Sequence, residues 1–377
     1  MMVPLLRIAC GQDGPVAATS GPDAPPVEDT SIRSPLLGCR PVLFVCRSIP
    51  VVLRLFAGAL ALTSARADAA VSLAPDIVLS RDVVIGRVTD VAVDAAGQVY
   101  VLDGGFDKIC IFGEDGSYLR SIGRKGEGPG EFYEPRSLAI DPDGNVFVGG
   151  ASDRIVGLAP DGQGIGSLVR GRTSAVSSLR FGSDGSLFAV YLDVVTHLMV
   201  HRFESATEEA APTASFSESF AVGRETSLDV EVAFASGSID VAGDGRVFYA
   251  QLTPQIVRTY AQTGEFLRAF EVRSAERRPP SEPSRNNGGV FFASVPAATT
   301  DITVLSDGSF VLSEYLPGEE GAYDCLVDVY DPDGRRVFSE SRPGKFTVIC
   351  RDAHDRLYIA EEDGEETVVK RYRVVRE

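Results

Sequence analysis

From residue 88 onward the chain alternates short apolar stretches with turns built around Gly. In the first copy the stretches TDVAV and VYVLD flank Asp94-Ala95-Ala96-Gly97, KICIF follows, and a second turn at Asp115-Gly116 leads into YLRSI, so one unit runs from Thr89 to Gly123. Runs of Val, Ile, Phe and Tyr of this length read as strands, and Asp-Gly between two of them is hairpin chemistry, because the turn needs a residue that accepts positive φ. A second copy starts at Arg136 and weaker copies at Ser177, Gly237, Thr300 and Thr347. Their turn residues are Gly97, Gly144, Gly185, Gly245 and Gly308, with Asp355 in the sixth place, at intervals of 47, 41, 60, 63 and 47 residues. No segment of the repeat region carries a helical stripe, so the pattern predicts strands alone.

Six similar antiparallel units, none able to bury both faces by itself, predict an all-β fold: a six-bladed β-propeller of four-stranded blades. The ends of the repeat region support this. The sixth copy supplies only three strands, FTVICRD, RLYIAEE and TVVKRYRVV, while Pro75 to Ser80 forms one unmatched strand ahead of the first copy. Together they complete a blade, so an N-terminal strand is expected to close the ring, and residues 70–377 form a single propeller domain.

The segment Asp107 to Phe132 (DKICIFGEDGSYLRSIGRKGEGPGEF) and the following PRSLAIDPDGNVFV resemble the NHL-type repeats of secreted six-bladed β-propellers. The resemblance spreads over residues 75 to 377 and is strongest from Val88 to Ile155. It implies a propeller and an exported protein, and it implies no activity, since propellers host many functions. WD-type repeats are disfavoured because the chain has no Trp.

The first 69 residues differ in kind. Residues 1–46 read as a disordered extension or a misassigned start, and within them residues 10–35 are rich in Pro, Ala, Gly and Ser without an apolar period. Residues 47–69 have the order of a secretory signal peptide: Arg47 and Arg54, the apolar run Leu55 to Leu62, then a small-residue site with Ala67 and Ala69 spaced A-x-A. The apolar run is too short to cross a bilayer. The expectation is export to a periplasmic or extracellular location, with no membrane span in the mature chain. Removing 69 of 377 residues leaves 308, and with them go Cys10, Cys39 and Cys46. Cys110, Cys325 and Cys350 remain, an odd number read as buried free thiols.

Composition narrows the chemistry. The chain is 44% hydrophobic and 24% charged, with 36 basic against 53 acidic residues and a formal charge of −17. A surface that replaces phosphate counterions needs clustered Lys and Arg, so a nucleic-acid partner is excluded. Gly126-Glu127-Gly128-Pro129-Gly130 lacks the Gly-Lys-Ser/Thr ending of a phosphate loop and reads as a tight link between blades. His197 and His201, four residues apart on one strand, stand roughly 13 Å apart at 3.3 Å per residue and cannot share a zinc ion. No Gly-x-Ser-x-Gly elbow is present.

The acids carry the most specific pattern. The start of each innermost strand and the end of each second strand share one face of the disc. Aligning the copies places Asp90, Ser137, Ser178, Ser238, Asp301 and Val348 at the first position, and Asp103, Gly150, Tyr191, Gln251, Glu314 and Glu361 at the second. The carboxylates fall on blades five, six and one, neighbours around the ring, with Tyr191, Gln251 and Arg136 across the axis. This predicts a polar, half-acidic cup at one channel mouth, formed by Asp90, Asp103, Arg136, Tyr191, Gln251, Asp301, Glu314 and Glu361. Its hard oxygen donors suit a divalent cation such as calcium, held by Asp90, Asp301 and Glu361, or a small polar or cationic ligand. The plain alternative is that these are solvated loop-end acids.

Two functions are open. One is an extracytoplasmic binding or scaffolding protein, monomeric and without catalysis, that binds a protein or a small ligand through its channel mouth and its loop-rich face, which includes the insert Arg273 to Pro296. The other is a divalent-metal-dependent lactonase or lyase, similar to the regucalcin and gluconolactonase propellers. That resemblance implies an amide among the metal ligands; no Asn is aligned here, and Gln251 is the nearest substitute.

Overall fold

The structure, a computed structural model, describes residues 71–79, 81–169, 173–206, 210–219, 228–252, 255–272, 283–286, 289–292, 298–317, 323–343, 347–363 and 366–376. Positions 1–70, which include the signal-peptide segment, lie outside the described residues.

Six four-stranded antiparallel sheets follow one another along the chain. Blade 1 comprises Val88–Val93, Val99–Asp103, Lys108–Phe112 and Tyr118–Ile122. Blades 2, 3, 4 and 5 begin with Pro135–Ile140, Ser178–Phe181, Gly237–Val241 and Ala298–Val304. Blade 6 combines Thr347–Arg351, Arg356–Asp363 and Glu366–Arg376 with Val71–Val78, which pairs antiparallel with the C-terminal strand. The first strands contact one another in cyclic order, blade 6 meeting blade 1, so they line a central channel. The closing strand sits slightly earlier than the pattern suggested, and Arg371 clamps it by donating to both oxygens of Asp76 at 2.9 and 3.2 Å.

Each blade is buried on both faces, which is why its strands read as nearly continuous apolar runs. Successive side chains serve opposite neighbours: Val99 and Val101 pack between blades 6 and 1, whereas Tyr100 and Leu102 pack between blades 1 and 2. The same division of labour produces one apolar layer at every blade interface. Cys110, Cys325 and Cys350 are buried within these layers, and no disulfide joins them.

The six turns between first and second strands share one geometry. In the first, the Gly97 N–H donates to the Asp94 carbonyl at 3.0 Å, and Asp94 Oδ1 accepts the N–H groups of Ala96 and Gln98. The turn residue has φ of +80°, +83°, +80°, +87° and +83° at Gly97, Gly144, Gly185, Gly245 and Gly308, and +57° at Asp355. Asp tolerates the left-handed region better than most residues, so it substitutes for Gly in the sixth copy.

Two features depart from a strand-only pattern. A short helix, Leu228–Ala233, lies in the link from blade 3 to blade 4, and the insert after blade 4 contains a hairpin of Pro283–Asn286 with Gly289–Phe292. Among the described residues no helix is long and apolar enough to cross a membrane.

Candidate functional site

The innermost strand of each blade is an open sheet edge, so half of its N–H groups lack a ladder partner. Short polar side chains from the preceding blade fill that gap. Asp90 Oδ2 accepts the Ser137 hydroxyl at 2.5 Å and the Leu138 N–H at 2.9 Å. Ser137 Oγ accepts the Leu179 N–H at 2.9 Å, and Ser178 Oγ accepts the Ile239 N–H at 3.2 Å. Ser238 donates its hydroxyl to Asp301. Five of the six first-position residues therefore form a buried belt running from blade 1 to blade 5. A second layer lies two residues further along, where Asp240 Oδ2 accepts the Val304 N–H at 2.7 Å and the Thr303 hydroxyl at 3.2 Å.

Arg180, in this second layer, crosses the channel. Its guanidinium donates to the Leu179 carbonyl at 2.8 Å and lies 3.4 Å from Asp90 Oδ2, within electrostatic reach of Asp301, Asp240 and Cys350. Burial raises the Asp90 carboxyl above its ordinary range, opposed chiefly by Arg180 and by the bonds from Ser137 and Leu138. Burial lifts Asp301 further, with the Arg180 charge again opposing and the Asp90 charge adding. Burial also pushes the Cys350 thiol well up. For Arg180 burial works against the charge, but Asp90, Asp301 and Asp240 outweigh it and hold the guanidinium protonated.

The eight residues expected to form one cup divide into separate groups. Asp90 and Asp301 join the belt, and Arg180 supplies beside them the positive charge that a bound cation was expected to bring. The second-position residues stand one strand further from the axis, about 4.8 Å, and bond locally. Asp103 is fully buried and receives the N–H groups of Gly86, Arg87, Gly105 and Phe106. Glu361 accepts from Lys370 at 2.8 Å and from the Tyr372 hydroxyl. The Gln251 side-chain oxygen accepts from Arg258. Tyr191 stacks on His201 with ring centroids 4.0 Å apart, Glu314 is buried in the second strand of blade 5, and Arg136 is exposed. Among the described residues no group of three or more His, Cys, Asp or Glu side chains could hold a metal ion.

Sequence reasoning overlooked Arg180, although the signal was present. It lies two residues after Ser178 on the same strand, and period two puts the pair on one side. It also set the histidines aside. His197 Nδ1 lies 2.9 Å from both oxygens of the buried Glu231, which the Ser219 hydroxyl also reaches, and this joins the loop of blade 3 to the short helix.

The two faces of the disc differ in what they expose. Twelve large apolar side chains are exposed among the described residues. Six of them, Val84, Phe106, Tyr133, Val195, Leu228 and Val232, stand on the loops and blade links of the face where the first strands begin. The rest lie on third and outer strands, and the six Asp-Gly-type turns of the opposite face carry none.

The DUF5128 family, described as a 6-bladed beta-propeller, matches residues 79–152. The chain is a six-bladed β-propeller. It is similar to the solved structure of a DUF4221 member from Bacteroides vulgatus, with 13% identity over 82% of this chain and 100% of that one and a TM-score of 0.56. It is also similar to a putative exported protein from Bacteroides fragilis, with 13% identity, coverage of 82% and 96%, and a TM-score of 0.53. No curated protein matches the sequence. At these identities the likeness concerns the fold.

Proposed function

We propose that this propeller is an exported binding or scaffolding protein that presents its loop-bearing face to a protein partner. One observation carries the reading: among the described residues, exposed apolar side chains stand on the loops of that face and are missing from the six Asp-Gly-type turns of the other, whereas the channel's charged groups bond to one another. Solvent-exposed Phe, Tyr and Val gathered on one face are the composition of an interaction surface. The order of charge, apolar run and A-x-A site at residues 47–69 supports export.

Site-specific photo-crosslinkers in the source cells test it. At Val195 on the loop face a crosslinker should yield a discrete protein adduct in the extracytoplasmic fraction; at Asp143 in a tight turn of the opposite face it should yield none. Adducts from both positions alike, or from neither face, would overturn the reading.

A further inference from the structure

The loops of blades 1 and 2 hold two non-glycine residues in the left-handed region, Asp107 at φ +50° and Glu134 at φ +45°. They are joined, since the Glu134 N–H donates to Asp107 Oδ1 at 3.0 Å. Each stands next to an exposed aromatic residue, Phe106 at 55% and Tyr133 at 44% exposure. Backbone in this region is held against a steric cost by its surroundings and tends to mark functional sites. Here the bonded pair fixes the loops from which both rings project.

The two rings share a further arrangement. Lys108 Nζ lies 5.1 Å from the Phe106 ring centroid and Lys125 Nζ 4.9 Å from that of Tyr133. Val84, 74% exposed, adjoins them: Lys108 donates to its carbonyl at 3.1 Å, and it lines a groove with Val83, Ile85 and Val368. Residues 81–89, 103–108 and 124–136 together hold six cations and six acids. Two of those acids, Asp103 and Asp107, are buried and accept backbone N–H groups, and Glu131 is held by Arg124. The side chains left facing outward are therefore six cations against four acids, Asp82, Glu127, Glu131 and Glu134, on a chain of formal charge −17.

We propose that this surface binds an acidic protein segment bearing aromatic or aliphatic anchors, whose carboxylates meet Lys108 and Lys125 while its apolar side chains pack on Phe106, Tyr133 and the Val84 groove. The assignment rests on the partner-binding reading above and adds the partner's chemistry. Aromatic anchors dominate interface energies, and complementary charge selects the partner and speeds encounter. An acidic segment gains from the outward cations here, whereas the formal charge of the whole chain is −17.

The test uses a fluorescein-labelled peptide in which Phe and Leu alternate with Glu, and the same peptide with Lys for Glu, titrated against the purified chain. Anisotropy should show binding of the Glu peptide at least tenfold tighter than the Lys peptide, weakening as salt rises. The variant K108Q/K125Q should weaken Glu-peptide binding at least tenfold, as should F106S/Y133S, with thermal melts confirming that both remain folded. Equal binding of the two peptides, or unaltered binding by folded K108Q/K125Q, overturns the proposal. A crosslinker at Val84 separates this from the broader reading. An adduct there without Glu-peptide binding rejects the acidic partner and keeps the loop face, whereas silence at both Val84 and Val195 rejects both.

Discussion

The channel and the loop face of blades 1 and 2 are built from the same residue types, charges and short polar side chains, arranged in opposite ways. In the channel, Arg180 lies among Asp90, Asp240 and Asp301, and the serines of one blade bond the main chain of the next. On the loop face the acids Asp103 and Asp107 turn inward to backbone N–H groups, leaving Lys125 and the two rings turned out and Lys108 half-buried beside them, donating to the Val84 carbonyl. Charge alone therefore does not mark a binding site. A charged group whose bonds are all made inside the fold supports stability, and one whose partners have been turned away is available to another molecule.

The contrast predicts a wide spread of mutational costs. Deleting Val71–Val78 should have the largest effect, because it opens blade 6, exposes an unpaired edge and breaks the Arg371–Asp76 clamp. The loss should approach the whole folding free energy, about 5–15 kcal/mol, and calorimetry should show no cooperative transition. A truncated chain that melts as sharply and as high as the parent would show that the ring does not depend on this closure.

Arg180→Met comes next. It leaves buried carboxylates without their cation, which costs about 3–5 kcal/mol in denaturant titration. The cost should depend on pH in a definite direction. Burial already raises Asp90 and Asp301, and removing the guanidinium takes away the largest opposing influence. A carboxyl raised in the folded state contributes stability below its unfolded value near 3.8 and loses it as pH rises through the folded value. The variant should therefore regain stability as pH falls from 8 toward 5. A pH-independent deficit would mean that Arg180 acts through packing alone.

Ser137→Ala should cost less, about 1–2 kcal/mol, since it removes one acceptor from the Leu179 N–H and one donor to Asp90. If equilibrium unfolding shows no change, the belt is a geometric coincidence.

The fold was legible because its signals are local and repeated. Each Asp-Gly turn announces a hairpin, and even Asp355 was identifiable from its place in the series. The short helix at Leu228–Ala233 was not legible, because six residues are too few to show a period. The site was legible only in part. Aligning copies on their turns placed Asp90, Ser137, Ser178, Ser238 and Asp301 at one level, and there Asp90 bonds Ser137, Ser238 bonds Asp301, and Ser137 and Ser178 each bond the main chain of the next blade. The same alignment treated Asp103 and Glu361 as equivalent to them, because register shows the level of a residue but not the partners that its side chain meets. Left-handed backbone at Asp107 and Glu134 has no signature in the sequence, so the patch they support emerges only in three dimensions.

The smallest effect is the one that separates the two regions most directly. Replacing Lys108 and Lys125 by Gln removes two charges, one more than Arg180→Met removes from the channel. Lys125 forms no ion pair among the described residues, and Lys108 approaches Asp103 only to 4.0 Å. Lys108 also donates to the Val84 carbonyl, an exposed bond that Gln forgoes at small cost. The stability change should therefore stay within about 0.5 kcal/mol, as for surface substitutions that break no buried network, and thermal melts of the double variant and parent should nearly coincide. If the double variant instead lost as much as Arg180→Met, the lysines would be holding the loops in place, and the division between a self-bonded channel and an outward-turned face would fail at its more exposed end.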